Sequence, residues 1–154
     1  MIVFRLAKVK YCHDLSGKGA GKTGGRWNSK GVPLVYTSAS RALCTIEIAV
    51  HIPLGILPSD FKLISINIPD SFEFLEKKPD ELPADWFSIP YSAKTQKCGD
   101  QFVKDQNYAL MKVPSAVVPG EFNFLINPQH ADFSKIEIVK MESFSFDERL
   151  FHRE

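Results

Sequence analysis

Residues 33–53, PLVYTSASRALCTIEIAVHIP, determine the interpretation of the fold because they join a short strand to an amphipathic helix. The apolar run over residues 33–37 predicts the strand. Ser38 or Ser40 is placed to cap the helix, since serine is favoured at the N-cap. We therefore predict a helix from Ser40 to about His51, ended by the proline that follows.

Glu47 lies within the apolar stripe of this predicted helix. At about 100° per residue, Leu43, Ile46 and Val50 share one face with it, so we expect the helix to be mostly buried. An ionised carboxylate there is costly unless it is paired, hydrogen-bonded or facing a ligand. Two interpretations stay open. In the structural one, Glu47 forms a buried ion pair, or the helix is rotated so that Glu47 is exposed. In the functional one, the carboxylate points into a pocket and stabilises positive charge there.

The rest of the chain indicates an α+β domain. Apolar or alternating runs predict strands at residues 2–9, 62–68, 108–113, 122–126 and 136–141. We expect a long loop at residues 15–31, loop with short helical pieces at 71–90, and a helix from Ser92 to about Lys104. Without regular βαβ alternation, this order predicts a single α+β domain with mainly antiparallel sheets and a few helices.

The bulk composition limits the class of protein. The 154 residues fit one domain, residues 1–154. Three cysteines without a CxxC pair argue against a disulfide framework, and neither they nor the four histidines have metal-ligand spacing, so we expect no metal site. No signal peptide or membrane-length apolar run is found, so we expect a cytoplasmic protein without membrane contact.

Charge is unevenly distributed. Residues 1–45 carry eight basic side chains and one acid, a net +7, so the remainder carries −6 of the total of +1. This asymmetry suggests that an anion contacts the N-terminal third, although a solvated basic face would show the same pattern. A nucleic-acid-binding module is the alternative from another class. The pI of about 7.7 and the acidic remainder count against direct nucleic-acid binding.

The glycine-rich segment satisfies two nucleotide-binding patterns only superficially. Residues 19–24, GAGKTG, satisfy G-x-G-x-x-G, and Gly21-Lys22-Thr23 resembles the end of a P-loop. Both motifs need a helix to follow, and the glycines and proline up to Pro33 do not favour one. What remains is a flexible, basic loop whose backbone can approach an anion closely.

Three further residues gain significance only together. Arg26 follows two glycines, and its guanidinium could bind a pyrophosphate or a carboxylate. Tyr36 closes a strand just before the Glu47 helix, so both could reach one cleft. Ser115 follows a strand and, taken alone, is an ordinary turn serine.

These positions together resemble the RES domain, the toxin half of bacterial RES–Xre toxin–antitoxin pairs. The matching segments are Leu15–Ala20, Gly24–Gly31, Val35–Ser40, Glu47 with His51, Thr95–Asp100, Val113–Glu121, Asn123 and Asn127–His130. Cys98 and Phe102 depart from the pattern, which has an isoleucine and a tryptophan there. The resemblance covers nearly the whole chain in the expected order.

The resemblance implies an ADP-ribosyltransferase-like fold and an enzyme that splits the nicotinamide–ribose bond of NAD and depletes the cell of it. NAD would be the substrate and inorganic phosphate the co-substrate, giving nicotinamide and ADP-ribose 1″-phosphate. Hydrolysis by water, or ADP-ribosylation of a macromolecule, are the alternatives. A Xre-type antitoxin would be the partner that blocks the active site.

The resemblance also assigns roles. Glu47 would stabilise the ribose as it becomes cationic, Arg26 would hold a phosphate, Tyr36 would stack on the nicotinamide, and Ser115 would contact the ribose or the phosphate. The residues expected to contact NAD are Arg26, Tyr36, Trp27, Asn28 and Ser38.

Overall fold

The computed structural model describes residues 1–152, which form one seven-stranded sheet with helices packed against it. The strands are β1 (Ile2–Lys8), β2 (Val35–Ser38), β3 (Phe61–Asn67), β4 (Phe74–Glu76), β5 (Leu110–Pro114), β6 (Phe122–Ile126) and β7 (Glu137–Phe144). The α-helices are α1 (Lys18–Thr23), α2 (Arg41–Ala49) and α3 (Ala93–Asp105), joined by short 3-10 turns.

The strand order is β4-β5-β6-β2-β1-β3-β7. Each neighbouring pair is antiparallel except β4 with β5. The predicted α+β class with a mainly antiparallel sheet is therefore confirmed. No helix within residues 1–152 is long and apolar enough to cross a membrane.

Strand register decides which side chains share a face. Phe4 pairs with Ser38, and Ser38 pairs with Asn123, so these three point to one side, with Tyr36 two residues along. Helices α2 and α3 cover opposite ends of this side. Cys44 of α2 belongs to a core cluster with β1 and β3, and Phe102 of α3 belongs to one with β5 and β6. Between them the face over β2 and β6 stays open.

The opposite face of the sheet holds the third core cluster. Val3, Ile64, Ile66 and Ile126 are fully buried there, under the loop segments that pack on that side. This cluster extends across both halves of the sheet and makes it one structural unit.

The predicted loop at residues 15–31 was wrong in one respect, because it contains the short helix α1. Gly17 caps the helix with a φ of 70°, and Gly24 ends it with a φ of 73°. Isolated sequences rich in glycine rarely form helices. Here the buried Asn28 amide donates to the carbonyl of Ala20 at 2.9 Å. This tertiary contact stabilises α1 although its sequence has a low helix propensity. The helix ends at Thr23, where a P-loop would need one to begin.

Two other predictions need correction. The segment 71–90 contains β4, which is too short for a visible alternation, and it pairs in parallel with β5. Helix α2 is also less buried than expected, since Leu43 and Cys44 are buried but Val50 is 54% exposed. Its boundaries were predicted closely, and the side chain of Ser40 accepts the N–H of Leu43 as the N-cap.

Candidate active site

A cleft of about 540 Å³ opens on the uncovered part of the sheet, between α2 and the segment 86–91. Its polar lining includes Arg26, Tyr36, Glu47, His51 and Asn123. The segment 86–91 adds apolar and aromatic side chains at the rim. The structure thus brings three of the four predicted catalytic residues to one cavity.

The carboxylate of Glu47 accepts hydrogen bonds through only one of its two oxygens. Its Oε1 accepts hydrogen bonds from Ser115 Oγ at 2.7 Å and Asn123 Nδ2 at 2.6 Å. Among residues 1–152 the Oε2 atom has no hydrogen-bond partner, and the carboxylate has no ion-pair partner. Because the residue is half-buried and lines the cleft, it is neither locked in an ion pair nor turned to bulk solvent.

The donors to Glu47 are themselves fixed. Ser115 is only 5% exposed, and its hydroxyl accepts the main-chain N–H groups of Val117 and Val118 at 3.1 and 3.0 Å. Its hydroxyl hydrogen is then directed at Glu47. Asn123 is oriented in the same way, since its Oδ1 accepts from Ser38 Oγ at 2.7 Å. This arrangement holds Oε1 in place and leaves Oε2 available.

Arg26 lies at the other side of the cleft. Its Nη1 donates to the carbonyls of Trp86 at 2.9 Å and Ser88 at 3.1 Å, and its guanidinium carbon lies 4.9 Å from the centre of the Tyr91 ring. The Nε and Nη2 groups have no hydrogen-bond partner in the described part of the chain. Arg26 therefore anchors the rim segment and still offers donors to an anion.

Tyr36 forms the floor between these groups. Its hydroxyl donates to Asn28 Oδ1 at 2.7 Å and accepts the N–H of Trp27 at 3.0 Å. Burial raises the pKa of Tyr36 above its ordinary value, so it stays a neutral phenol. The close approach requires a glycine at position 25, where a Cβ would lie 2.6 Å from the hydroxyl.

The family model described as the RES domain matches residues 2–147. This chain belongs to the RES domain family. It is 40% identical to the "Prs ADP-ribosylating toxin" of Sphingobium sp. (strain YBL2), covering 96% of this chain and 92% of the relative. It is 39% identical to "Toxin Res" of Photorhabdus laumondii, covering 97% of both chains.

A solved structure shares the fold of this RES domain. The Mycobacterium tuberculosis MbcT–MbcA toxin–antitoxin complex contains a chain that superposes with a TM-score of 0.71 at 19% identity, covering 97% of this chain and 86% of that one. At this identity the likeness concerns the fold alone. The fold that the resemblance led us to expect is therefore shared with a chain of a solved toxin–antitoxin complex.

Not every residue expected to contact NAD lies in the cleft of this RES domain. Trp27 lines it, although it is only 3% exposed and packs on Trp86 with ring centres 6.3 Å apart. Asn28 is fully buried, and its amide donates to the carbonyls of Ala20, Ser29 and Val32. Ser38 is 4% exposed and bonds Asn123. Asn28 and Ser38 therefore brace the residues that line the cleft.

Some site residues received no role from the sequence. Asn123 belongs to the matched pattern, but only the register of β6 against β2 reveals its contact with Glu47, 76 residues away. Gln96 of α3 donates to the carbonyl of Gly25 at 2.9 Å and fixes the turn before Arg26. Tyr91 lies between the predicted segment 71–90 and the helix predicted from Ser92, and nothing in the sequence indicated its contact with Arg26.

Proposed function

We propose that this RES domain cleaves the nicotinamide–ribose bond of NAD in the Glu47 cleft. Inorganic phosphate is the first candidate acceptor, which gives nicotinamide and ADP-ribose 1″-phosphate and depletes the cytoplasmic NAD pool. One observation carries the proposal. The half-buried carboxylate of Glu47 has no cationic partner among residues 1–152, and it lines a cavity that Arg26 and Tyr36 also line.

The chemistry of this bond matches what the cleft offers. Nicotinamide leaves C1″ through an oxocarbenium-like transition state, as in glycoside hydrolysis. It leaves as a neutral base, so no general acid is needed. The protein must stabilise positive charge on the ribose, and the free Oε2 of Glu47 is suited to this. Loss of one preorganised electrostatic contact of this kind costs about 3–4 kcal/mol of transition-state stabilisation.

The other residues take roles that their contacts allow. Arg26 binds a phosphate through its Nε and Nη2 groups, since Nη1 is committed to the carbonyls of residues 86 and 88. Tyr36 contributes its ring to the nicotinamide, because its hydroxyl is committed to Trp27 and Asn28. Ser115 was expected to contact ribose or phosphate. Its hydroxyl hydrogen points at Glu47, so we assign it to positioning that carboxylate.

A macromolecular acceptor is the second candidate. It is supported by the name of the Sphingobium relative, which describes that protein as an ADP-ribosylating toxin. Both candidates share the bond cleavage and differ only in what attacks C1″. An antitoxin of the Xre type is the proposed protein partner. The MbcT–MbcA complex, a toxin bound to an antitoxin, supports a partner of this kind.

The decisive experiment incubates purified protein with NAD and identifies the products. Nicotinamide release is measured with phosphate, without phosphate, and with a cell extract as the source of macromolecular acceptors. ADP-ribose 1″-phosphate formed in phosphate alone supports phosphorolysis, and free ADP-ribose indicates water as acceptor. Labelled ADP-ribose found on protein or nucleic acid from the extract, with little turnover in phosphate alone, supports the second candidate.

Glu47→Gln tests the mechanism. It should lower nicotinamide release by about 10²–10³-fold while the protein stays folded, because the amide keeps the size of the side chain and loses its charge. Glu73→Gln, an exposed glutamate outside the cleft, is the matched control and should leave turnover unchanged. Full turnover by Glu47→Gln would remove this carboxylate from the reaction.

A further inference from the structure

Helix α3 packs directly against the turn that carries Arg26. The turn, residues 25–28, is closed by a main-chain hydrogen bond of 2.9 Å between its first and last residues. The Arg26 side chain lines the cleft. At Gly99, in the middle of α3, an added Cβ would lie 1.7 Å from the carbonyl oxygen of Trp27, so the helix and the turn touch through their main chains. The roles proposed above do not use this contact.

Two side chains of α3 hold the two ends of this turn. Gln96 Nε2 donates to the carbonyl of Gly25 at 2.9 Å, where the turn begins. The carboxylate of Asp100 accepts the N–H of Ser29 at 2.8 Å and the hydroxyl of the same residue at 2.6 Å, directly after the turn. Gln96, Gly99 and Asp100 are spaced i, i+3 and i+4, so they share one face of the helix. The helix therefore fixes the turn at both ends.

Asp100 is a half-buried carboxylate without a cation. It forms no ion pair among residues 1–152, and each of its oxygens accepts a hydrogen bond from Ser29. It does not line the cleft. Its charge nevertheless reaches the cleft floor, because burial raises the pKa of Tyr36 and the charge of Asp100 raises it further, while that of Arg26 lowers it. Two kinds of action are therefore open to Asp100, one through geometry and one through charge.

The side chain of Arg26 is tied to the same helix by another route. Its Nη1 donates to the carbonyls of Trp86 and Ser88, and its guanidinium carbon lies 4.9 Å from the centre of the Tyr91 ring. The next residue after Tyr91 is Ser92, the N-cap of α3. The main chain of Arg26 is thus held by the middle of α3, and its side chain by the segment that leads into α3.

We propose that Gln96 and Asp100 are positioning residues, which set the reach of the Arg26 guanidinium toward the phosphate group that it binds. The inference rests on the proposed function, which assigns Arg26 to a phosphate. No residue of α3 lines the cleft, so the helix acts only through the turn 25–28. Misplacement of a binding group by about 1 Å lowers a rate by up to about 10²-fold. The hydrogen bonds of Asp100 matter here rather than its charge.

The test compares matched variants in the nicotinamide-release assay, with NAD and phosphate varied separately. Arg26→Ala identifies which of the two KM values depends on the guanidinium. Asp100→Ala should raise that same KM by about 10- to 100-fold and change kcat by less than about threefold. Asp100→Asn keeps hydrogen-bonding groups without the charge and should stay within about threefold of wild type. Asp105→Ala, an exposed aspartate at the end of α3, is the control and should have no effect.

A double variant separates positioning from a general loss of structure. With Arg26 already replaced by alanine, Asp100→Ala should raise the affected KM by less than about twofold further, because its effect passes through the missing guanidinium. A merely structural contribution would add in full. Gln96→Ala removes the donor to Gly25 and should raise the same KM by about three- to tenfold. This variant keeps the test valid if Asp100→Ala fails to fold.

Several results would overturn the inference. One is an equal effect of Asp100→Ala with and without Arg26, and another is a set of wild-type KM values in Gln96→Ala and in any folded Asp100→Ala protein. Asp100→Asn protein as impaired as Asp100→Ala would show that the charge acts instead of the hydrogen bonds. Arg26→Ala protein with both KM values unchanged would show that no phosphate depends on the guanidinium.

Binding measurements distinguish this inference from the proposed function. NAD and phosphate are titrated by calorimetry into Glu47→Gln protein, with and without Arg26→Ala or Asp100→Ala. If wild-type protein releases no nicotinamide but both changes weaken binding of the same ligand, the reaction is wrong and the positioning role stands. If nicotinamide is released but Asp100→Ala acts independently of Arg26, the reaction stands and the positioning role is wrong.

Discussion

Ser115→Ala removes one of the two hydrogen bonds that hold Glu47. The hydroxyl donates to Oε1 at 2.7 Å, and Asn123 supplies the other bond at 2.6 Å. Hydrogen bonds to charged groups contribute about 1.5–3 kcal/mol each. If that energy serves to orient Oε2 toward the ribose, its loss lowers kcat by about 10- to 150-fold.

The same change should also cost stability. The N–H groups of Val117 and Val118 lose their side-chain acceptor in the turn after β5. A buried unsatisfied donor costs about 1–3 kcal/mol, which lowers the melting temperature by about 2–12 °C in a chain of this size. The kinetic comparison is therefore made at a temperature where thermal unfolding shows both proteins folded.

The assay separates positioning from direct contact with the acceptor. Nicotinamide release is measured against phosphate concentration for wild type and Ser115→Ala, with the exposed Ser134→Ala as control. A positioning role predicts a fall in kcat with little change in the KM for phosphate. A raised phosphate KM at unchanged kcat would show that Ser115 binds the acceptor. Wild-type values for both parameters would refute the reasoning about Glu47.

Two smaller changes test the support around the cleft. Tyr36→Phe keeps the ring but removes the hydroxyl that links the Trp27 N–H to Asn28. Urea unfolding should show a free energy of unfolding lower by about 1–3 kcal/mol, while kcat changes by less than about threefold. Unchanged stability with a large fall in kcat would instead give the hydroxyl a chemical role. Gly99→Ala places a methyl group 1.7 Å from the Trp27 carbonyl oxygen and should cost at least about 3 kcal/mol in the same assay. Its control, Gly19→Ala, meets nothing within 4 Å, and a melting temperature near wild type for Gly99→Ala would contradict the packing.

Most of the fold could be predicted from local signals. The Ser40 cap and the following proline bounded α2, and alternation or apolar runs located the longer strands within a few residues. Helix α1 was not predicted because its stability comes from its caps and from Asn28, which lies five residues beyond its end. The pairing of β4 with β5 joins segments about 36 residues apart, and three-residue strands carry no usable periodicity.

The structure brings most of the residues expected in the site close together, and their roles there stay predictions. Glu47 stood out because a carboxylate interrupts an apolar stripe, and that signal is local. The contacts that define its function link residues 68 and 76 positions apart, which no periodicity encodes. Asn28 and Ser38 were expected to contact NAD because they lie in segments that resemble the RES domain. A matched segment does not show which way a side chain points: both side chains are buried, and their hydrogen bonds stay within the protein.

The polar cluster at Glu47 is difficult to explain by stability alone. Packed apolar residues of similar volume often stabilise a buried site as well as an ionic cluster does, or better. Here the cluster consists of the half-buried Glu47 carboxylate, the amide of Asn123 and the hydroxyls of Ser38 and Ser115. No basic side chain of the described residues forms an ion pair with that carboxylate. Three of these side chains serve to orient the fourth. The Glu47 carboxylate still has an oxygen without a hydrogen bond, and it lines a cavity. The arrangement therefore favours a ligand that brings positive charge to that oxygen. The ribose of NAD does so only as nicotinamide departs.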